Sequence, residues 1–413
     1  KGVLLTDFFQ FFIAMAGAFG AAIYIVSLPE IGSLDALLTH PNVSDKLNII
    51  PDFSDWNLLI PLFIMPLAIQ WWATWYPGAE PGGGGYIAQR MLSAKDEKNA
   101  IGATLLFNVT HYAIRPWPWI IIALASLIIF PQLSDMQAAF PNIEESKLGD
   151  DLAYSAMLTF LPKGLIGIVL ASLIAAVMST LSTHLNWGSS YVVNDFYSRF
   201  VKPDASDKEL VAVGRISTVG LMVLAALLAT VLSNALEAFN ILLQIGAGTG
   251  LIFILRWFWW RINAYTEISA MIVSFIVAIY FESIHNKLGF YPIPDDMAYL
   301  KLLLGVSITT ITWVAVTLLT KPEDDEVLLA FYKKVRPASH GWKKLLAKYP
   351  DVKEEFGQLP MEIGLMLIAS IMVYAALFGV GFWIYGETLP AIIASVIAVA
   401  GGVLVFRGWK KMR

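Results

Sequence analysis

The sequence predicts an all-α polytopic membrane protein, and both its composition and its apolar runs point to this class. Of the 413 residues, 57% are hydrophobic and 15% are charged, whereas soluble domains carry about 25% charged residues. Apolar runs of about 20 residues, the length that crosses a bilayer as a helix, recur along the whole chain. Ten candidate transmembrane helices result, near residues 3–28, 57–76, 100–130, 163–190, 209–233, 236–260, 264–284, 298–319, 361–385 and 388–407.

Lysine and arginine residues are concentrated in every second link between these helices. The links after the second, fourth, sixth and eighth helices hold most of them, including eight between Lys321 and Lys353, and the intervening links are mainly acidic. Because basic links stay on the cytoplasmic side, both ends of this segment are expected in the cytoplasm. We expect a multi-pass protein of the plasma membrane, a bacterial inner membrane by its general character, with the lipid bilayer around it and no nucleic acid as a partner.

The longest charged link, 321–359, contains the stretch "FYKKVRPASHGWKKLLAKYPDVKEEF". Its basic residues are interspersed with apolar and aromatic ones, among them Trp342 and Phe356, as in helices that lie along a membrane surface. The pattern predicts a cytoplasmic linker with one amphipathic helix in contact with phospholipid headgroups.

The fourth candidate helix ends in a dense group of hydroxyl side chains. In "AAVMSTLSTHLN", residues 175–186, Ala176, Ser179, Thr180 and Thr183 recur at helical spacing, with Ser182 at the edge of the same stripe. Hydroxyl and carbonyl oxygens are hard, uncharged ligands that suit a small cation bound reversibly. The alternative is close helix packing, in which small residues approach a neighbour and each hydroxyl bonds back to its own helix.

Asp7 lies a few residues into the first candidate helix, in "GVLLTDFFQFF". A carboxylate at membrane depth costs about 2.5–3.5 kcal/mol on insertion scales unless it faces water or meets a cation. Because the first helix runs outward and the fourth inward, Asp7 and the pair Ser182 and Thr183 are expected at similar depth. Asp7 either supplies the negative charge of a cation site or caps its own helix beside Thr6.

The third candidate helix carries a polar stripe in "LLFNVTHYAIRPWPW". Asn108, His111, Tyr112 and Arg115 recur at one-turn spacing, and Arg115 is the most costly of them at membrane depth. Its guanidinium is expected to face a water-filled cavity or an anion. If the cavity binds a solute, that solute carries a carboxylate; the alternative is an ion pair with an internal acid. His111 and His184, without nearby acids, are weak evidence for metal binding or acid–base chemistry.

Several segments together resemble the sodium/solute symporter family, which includes sodium-coupled sugar, proline and sialic acid carriers. The stretch "KGVLLTDFFQ" resembles the family signature "GG-x-x-A-V-x-W-T-D-x-x-Q", and the block from Leu161 to Phe200 is the most specific match. Further matches are "YIAQRMLSAKDEKNA", "GRISTVG" and "FYKKVRP", and all of these segments follow one another in family order. The resemblance implies the LeuT-type core, which consists of two inverted five-helix repeats.

The resemblance also implies a domain organisation. Residues 1–28 correspond to the last helix of the first repeat, 29–262 to the complete second repeat, and 263–413 to peripheral helices that include the linker 321–359. The chain begins with Lys1 and enters a candidate helix at once. Four further core helices are therefore expected to precede it in a longer protein.

Na⁺ is the ion that the resemblance implies. Matched residue by residue, the conserved sodium site corresponds here to Ala176 through its carbonyl and to Ser179 and Thr180 through their hydroxyls. Some family members hold a second sodium ion with the aspartate of the "TD" motif and the next hydroxyl pair. Those positions are here Asp7, Ser182 and Thr183.

The residues that contact solute in family members match this sequence less directly than the sodium ligands do. Family members often have an Asn-Gln pair where this chain has Gly84 and Gly85. Nearby amide and indole groups are therefore the candidate solute contacts, because indole faces bind sugar rings or apolar solutes. The alternative is that these indoles belong to an aromatic belt and to helix packing. The sixth helix adds two amides before three glycines, which predict either a gating break or close packing. The candidate solute contacts are Gln70, Trp71, Trp72, Trp75, Asn108, His111, Arg115, Asn240 and Gln244.

The combined pattern favours a sodium-coupled secondary transporter, a symporter that imports a small polar solute such as a sugar, an amino acid or a carboxylate. Such transport includes no covalent step, so the chain is not predicted to be an enzyme. Two other classes stay open: a membrane-embedded enzyme of the acyltransferase kind that uses His111, and a sensor built on a transporter core. The first needs an acid or nucleophile beside the histidine, and the second needs an output domain.

Overall fold

The computed structural model describes residues 2–70, 91–144, 148–230, 235–285, 293–294, 297, 299–337, 339–352 and 359–409. Side chains are described for these residues except those of 2–7, 235–240, 282–283, 339 and 359. Within the described ranges the chain is helical and contains no β-strand. The all-α prediction is confirmed.

Eight helices of the described residues are long and apolar enough to cross a membrane. The predicted crossings near 57–76 and 264–284 are represented by shorter apolar helices, Trp56–Gln70 and Ala264–Ile279. The chain is therefore a multi-pass membrane protein. The eight long helices are Phe8–Val26, Glu97–Ile129, Lys163–Val201, Asp207–Ala229, Ile241–Phe258, Tyr299–Leu319, Pro360–Ile384 and Thr388–Trp409.

Two of the eight long helices, Glu97–Ile129 and Lys163–Val201, contain π-helical turns, and further π-helical turns lie in or next to the two shorter apolar helices. The π-helical turns lie at Ile60–Ile64, Pro66–Gln70, Val109–Ile114, Tyr191–Val201 and Tyr280–Ile284. In chain order the α-helices are α1 (Gly2–Val26), α2 (Leu34–Thr39), α3 (Trp56–Leu59), α4 (Glu97–Asn108), α5 (Trp117–Ile129), α6 (Leu133–Ala139), α7 (Ala153–Leu158), α8 (Lys163–Ser190), α9 (Asp207–Ala229), α10 (Ala235–Gly246), α11 (Gly250–Phe258), α12 (Ala264–Ile279), α13 (Tyr299–Leu319), α14 (Asp325–Val335), α15 (Lys343–Leu346), α16 (Leu359–Ile384) and α17 (Thr388–Trp409).

The chain divides into two units. Unit 1 comprises residues 1–48, 90–235 and 371–400, and its core forms where α1 packs against α5 and α8. Glycines let α1 approach α8 closely: a Cβ at Gly20 would lie 3.3 Å from the Leu165 side chain, and one at Gly17 would lie 3.5 Å from that of Val169. Small residues at a helix interface are the usual basis of packing within a membrane, where lipid is as apolar as the helix surface.

Unit 2 comprises residues 49–89, 236–370 and 401–413, and α12 packs along α13 at its centre. The buried hydroxyls of Thr266 and Thr317 lie 2.7 Å apart and share a hydrogen bond across this interface. The guanidinium of Arg261 donates to the carbonyls of Thr317, Leu318 and Thr320 at the end of α13. Those carbonyls have no partner within their helix, so Arg261 acts as a C-terminal cap.

The segment 321–352 folds differently from the surface helix that the sequence predicts. Leu328 and Tyr332 of α14 form a small core with Trp342 and with Leu345 of α15, and Trp342 is only 1% exposed. The indole of Trp342 donates to the carbonyl of Trp257, 3.1 Å away. The expectation that Trp342 contacts phospholipid is wrong, because this apolar surface is buried within unit 2. Phe356 lies outside the described residues.

Charged groups on the surface of this segment join its two ends. Lys348 Nζ and the Tyr349 hydroxyl both donate to Oδ2 of Asp325, each at 3.0 Å. The hydrogen bond from Lys348, followed by that from Tyr349, holds the pKa of Asp325 below its usual value. The ionised carboxylate is therefore the form that the folded segment favours.

Candidate functional site

The hydroxyl-rich end of α8 forms a continuous polar surface on one helix. We call Ala176, Ser179, Thr180, Ser182 and Thr183 the hydroxyl stripe; all five lie within the regular helix Lys163–Ser190. Ser179 and Thr183 are half-buried, whereas the other three residues are exposed. Within the described residues of unit 1, the stripe thus presents oxygen atoms along an open helical face.

Hydrogen bonds along α8 orient these oxygen atoms. The Thr183 hydroxyl donates to the Ser179 carbonyl, 2.9 Å away. Nδ1 of His184 lies 2.9 Å from the Thr180 carbonyl, and because a carbonyl only accepts, this nitrogen carries the proton. Hydroxyl and carbonyl oxygens are the kinds of atom that can coordinate a small hard cation.

Two close contacts define the register between α1 and α8. Gly20 faces Leu165 and Gly17 faces Val169, so the two helices run antiparallel. Both helices rise about 1.5 Å per residue. If they stay straight, the same register brings the backbone of Asp7 level with Ser179. The side chain of Asp7 lies outside the described side chains.

Arg115 lies in unit 1 among neutral aromatic groups. Its Nη1 donates to Nδ1 of His111 at 2.9 Å, and its guanidinium carbon lies 4.9 Å from the ring centre of Trp119. The ring of His111 stacks on Phe107 with centroids 4.8 Å apart. The structure therefore brings together His111 and Arg115, two of the predicted solute contacts. Asn108, the third on this helix, donates its side-chain amide to the carbonyl of Thr104 at 2.8 Å.

The other predicted solute contacts have separate surroundings. Gln70 ends a π-helical turn of unit 2 and is half-buried, and Asn240 lies in α10 without a described side chain. Gln244 is 5% exposed, and its amide donates to the Lys301 carbonyl at 3.3 Å. Its amide is thus engaged in packing between α10 and α13. Trp71, Trp72 and Trp75 lie outside the described residues, as do Gly84 and Gly85.

A break between α10 and α11 forms at the predicted glycines. Gly248 has a φ of +82°, a region that side chains other than glycine rarely adopt. A Cβ there would lie 2.7 Å from Cβ of Thr309 and 3.0 Å from the Val306 carbonyl. The indole of Trp313 donates to the Gly248 carbonyl at 3.1 Å. The break and the close packing, posed by the sequence as alternatives, occur together at this one residue.

Phe107 and Trp119 complete the surroundings of Arg115, although sequence reasoning did not single them out. Each lies four positions from the polar residue it contacts, Phe107 from His111 and Trp119 from Arg115. Residues at this spacing are neighbours on a helix surface. The four-residue spacing is visible in the sequence. Aromatic residues are so frequent in membrane helices, however, that this spacing does not mark Phe107 and Trp119 as neighbours of a polar site.

Comparison with protein families identifies the chain. A model described as "Sodium:solute symporter family" matches residues 1–274. The chain belongs to the sodium:solute symporter family. The match includes α1, the hydroxyl stripe, Arg115 and the break at Gly248, and it confirms the resemblance that the sequence motifs indicate.

Relatives within this family are named as cotransporters and symporters. A sodium/glucose cotransporter of Vibrio parahaemolyticus is 27% identical over 72% of this chain and 56% of its own length. A sodium/proline symporter of Haemophilus influenzae is 28% identical over 40% of this chain and 32% of its own. A sodium/myo-inositol cotransporter 2 of Oryctolagus cuniculus is 27% identical over 59% of this chain and 39% of its own. The chain spans between about a third and just over half of the length of these relatives.

Proposed function

We propose that this chain is part of a sodium-coupled symporter that imports a small polar solute by alternating access. Membership of the sodium:solute symporter family supports the proposal, and the relatives are named for sodium together with glucose, proline or myo-inositol. The structural observation that carries it is the hydroxyl stripe on α8, whose oxygen atoms share one helical face.

The first sodium ion binds at the middle of the hydroxyl stripe in this proposal. Ser179 and Thr180 supply hydroxyl oxygens, and Ala176 supplies a carbonyl one turn earlier. Uncharged oxygens replace the hydration shell of Na⁺ without holding the ion as tightly as carboxylates would. Reversible binding of this kind is what a transported ion requires.

A second sodium ion binds further along the same stripe, between Ser182, Thr183 and the carboxylate of Asp7. The Thr183 hydroxyl donates to the Ser179 carbonyl, 2.9 Å away, which orients its oxygen on this helix. The register of α1 against α8, drawn from Gly17 and Gly20, puts the Asp7 backbone level with Ser179, about one helical turn from Ser182 and Thr183. A bound cation also offsets the cost of a carboxylate at membrane depth.

Coupling follows from thermodynamic linkage between the ion and the solute. Sodium favours an outward-open state that binds the solute, and by reciprocity the solute raises the affinity for sodium by the same factor. Each positive charge that enters the cell gains about 2.3 kcal/mol per 100 mV of membrane potential. Two sodium ions per cycle would double this electrical driving force.

The candidate solute contacts inferred from the sequence lie on the second, third and sixth predicted helices. The break at Gly248 supplies the flexible backbone that gating requires. We place the protein in the plasma membrane with both ends of this segment in the cytoplasm, on the distribution of Lys and Arg. In the repeat organisation, 1–28 ends the first repeat, 29–262 forms the second and 263–413 is peripheral. The proposed solute contacts are Gln70, Trp71, Trp72, Trp75, Asn108, His111, Arg115, Asn240 and Gln244.

Catalysis by His111 receives no support from its surroundings. Its Nδ1 accepts a hydrogen bond from Arg115, and its ring stacks on Phe107. Among the described residues no group of three or more His, Cys, Asp or Glu side chains is placed to hold a metal ion. The relatives are named as transporters, which favours a transport role over an acyltransferase or a sensor.

Uptake into proteoliposomes tests this function. The intact protein is reconstituted, and uptake of labelled glucose, proline, myo-inositol and small organic carboxylates is measured with an inward Na⁺ gradient. We expect accumulation of at least one of these solutes, and we expect it to vanish when choline replaces Na⁺. Equal uptake in Na⁺ and in choline, or no uptake of any of them, would contradict the proposal.

A further inference from the structure

The guanidinium of Arg115 lies near the midpoint of the 33-residue apolar helix Glu97–Ile129. A charge at that depth needs an anion or water, because hydrocarbon cannot solvate it. Arg115 is half-buried, so its charge is neither at the surface nor fully enclosed. The identity of the anion that pairs with Arg115 would therefore indicate what the protein binds.

The groups that surround this guanidinium in the described part of the chain are neutral. Arginine has donors only, so the nitrogen of His111 that bonds to it must be an acceptor. His111 is consequently a neutral ring with its proton on Nε2. The remaining neighbour, Trp119, offers the face of an indole. No Asp or Glu whose side chain is described lies within 4.0 Å of Arg115, in contrast to Arg256, whose Nη1 lies 3.5 Å from Glu267.

The arrangement also fixes the orientation of the guanidinium. The bond to His111 uses Nη1, and the cation–π contact with Trp119 holds the group from one side. The stack of His111 on Phe107 in turn holds the imidazole. A planar guanidinium has five N–H groups in a fixed fork. Only the bond to His111 is formed within the described residues, so the fork keeps donors for a planar, two-oxygen acceptor.

The backbone at this position is irregular. Val109–Ile114 forms a π-helical turn, the amide of Arg115 donates to the Thr110 carbonyl, and Pro116 follows at once. π-Helical turns inside α-helices are frequent at functional sites, since the extra residue changes the direction of the side chains. Arg115 thus projects from a turn that departs from the regular helix.

We propose that Arg115, positioned by His111 and Trp119, binds the carboxylate of an anionic solute. The inference rests on the proposed symport function and deepens it, because it selects carboxylates from the polar solutes considered above. A small organic acid would make two parallel hydrogen bonds to the fork, which a neutral sugar or alcohol cannot reproduce with the same charge complementarity.

Matched pairs of solutes test this specificity. Thermal unfolding of the intact protein is followed in Na⁺ and in choline with glucuronate and glucose, lactate and lactamide, and pantothenate and panthenol. We expect Na⁺-dependent stabilisation by at least one carboxylate and none by its neutral partner. Arg115→Gln should weaken binding of that carboxylate by about tenfold or more, and Arg115→Lys, which keeps the charge and loses the fork, should weaken it less.

Controls separate this inference from the symport proposal and from misfolding. Arg256→Gln removes a guanidinium that is paired with Glu267 and should leave carboxylate binding unchanged. Stabilisation by Na⁺ alone should persist in Arg115→Gln, which shows that the variant is folded and still binds the ion. Na⁺-dependent binding of only neutral members of the pairs, binding of none of the carboxylates, or carboxylate binding that Arg115→Gln leaves intact, would overturn the inference. Absence of any Na⁺ response in the wild type would instead contradict the symport proposal.

Discussion

Replacing Gly248 with alanine is expected to destabilise unit 2 severely. Two costs add at this residue. The φ of +82° is strained for any residue with a side chain, at about 1–3 kcal/mol, and the new methyl group would lie 2.7 Å from Cβ of Thr309. Overpacking of this kind costs about 1–3 kcal/mol more, because the backbone carbonyl of Val306, 3.0 Å from the same added Cβ, cannot move aside as a flexible side chain can.

Thermal unfolding, followed by tryptophan fluorescence in detergent, measures this effect. Trp313, whose indole donates to the Gly248 carbonyl, is one of the 14 tryptophans that contribute to this signal. Gly386 provides the matched control: it has a φ of +76° and no atom within 4 Å of an added Cβ. Gly386→Ala should therefore show the backbone cost alone. Equal losses of stability in the two variants would show that the packing against α13 contributes nothing.

Replacing Trp342 with alanine is expected to unfold the segment 321–352. The indole is 1% exposed, packs against Phe331 and Tyr332, and donates to the Trp257 carbonyl. Loss of a buried tryptophan costs about 3–5 kcal/mol. A core as small as this one has few other residues to compensate for the cavity.

Limited proteolysis with trypsin detects this change, because the segment carries several lysines. We expect rapid cleavage between α14 and α15 in Trp342→Ala and slow cleavage in the wild type. Trp56→Ala serves as the control in the same unit, since Trp56 is 62% exposed and its loss leaves no cavity. The same cleavage rate in both variants and the wild type would mean that the buried indole does not hold this segment.

The sequence predicts the helices well, because membrane helices satisfy their backbone polar groups internally and must be apolar over a fixed length. A break at the glycines Gly246, Gly248 and Gly250 was one of two alternatives that the sequence left open, because alternate glycines weaken a helix and also permit close packing. The π-helical turns could not be predicted. They change one hydrogen bond per turn without changing the hydropathy pattern, as the turn at Val109–Ile114 shows.

The structure of the segment 321–352 illustrates a second limit of prediction from sequence. An amphipathic pattern shows that one face of a helix is apolar, but it does not show what covers that face. Lipid and protein are equivalent partners for Leu328 or Trp342 in terms of sequence alone. The structure resolves the choice through a long-range contact, the bond from Trp342 to Trp257. Such contacts between distant parts of the chain leave no local signature.

The proposed sodium site is assigned to side chains whose types and spacing are visible in the sequence. The arrangement at His111 and Arg115 was also visible as a polar stripe. The sequence could not show the tautomer of His111 or the face of Trp119, because both depend on atomic positions. Those details decide whether the guanidinium is already neutralised, and hence which solute it can bind.

Equilibrium binding of radioactive sodium to the intact protein tests the role of the hydroxyl stripe most directly, because it does not require a known solute. The double variant Ser179→Ala and Thr180→Ala removes the two hydroxyls assigned to the first ion. Its control is Ser217→Ala and Thr218→Ala on α9, an adjacent Ser-Thr pair whose hydroxyls bond back one turn to carbonyls of their own helix. We expect the first double variant to bind sodium about tenfold more weakly or worse, with the control unchanged. Wild-type affinity in both double variants would show that sodium does not bind at this stripe.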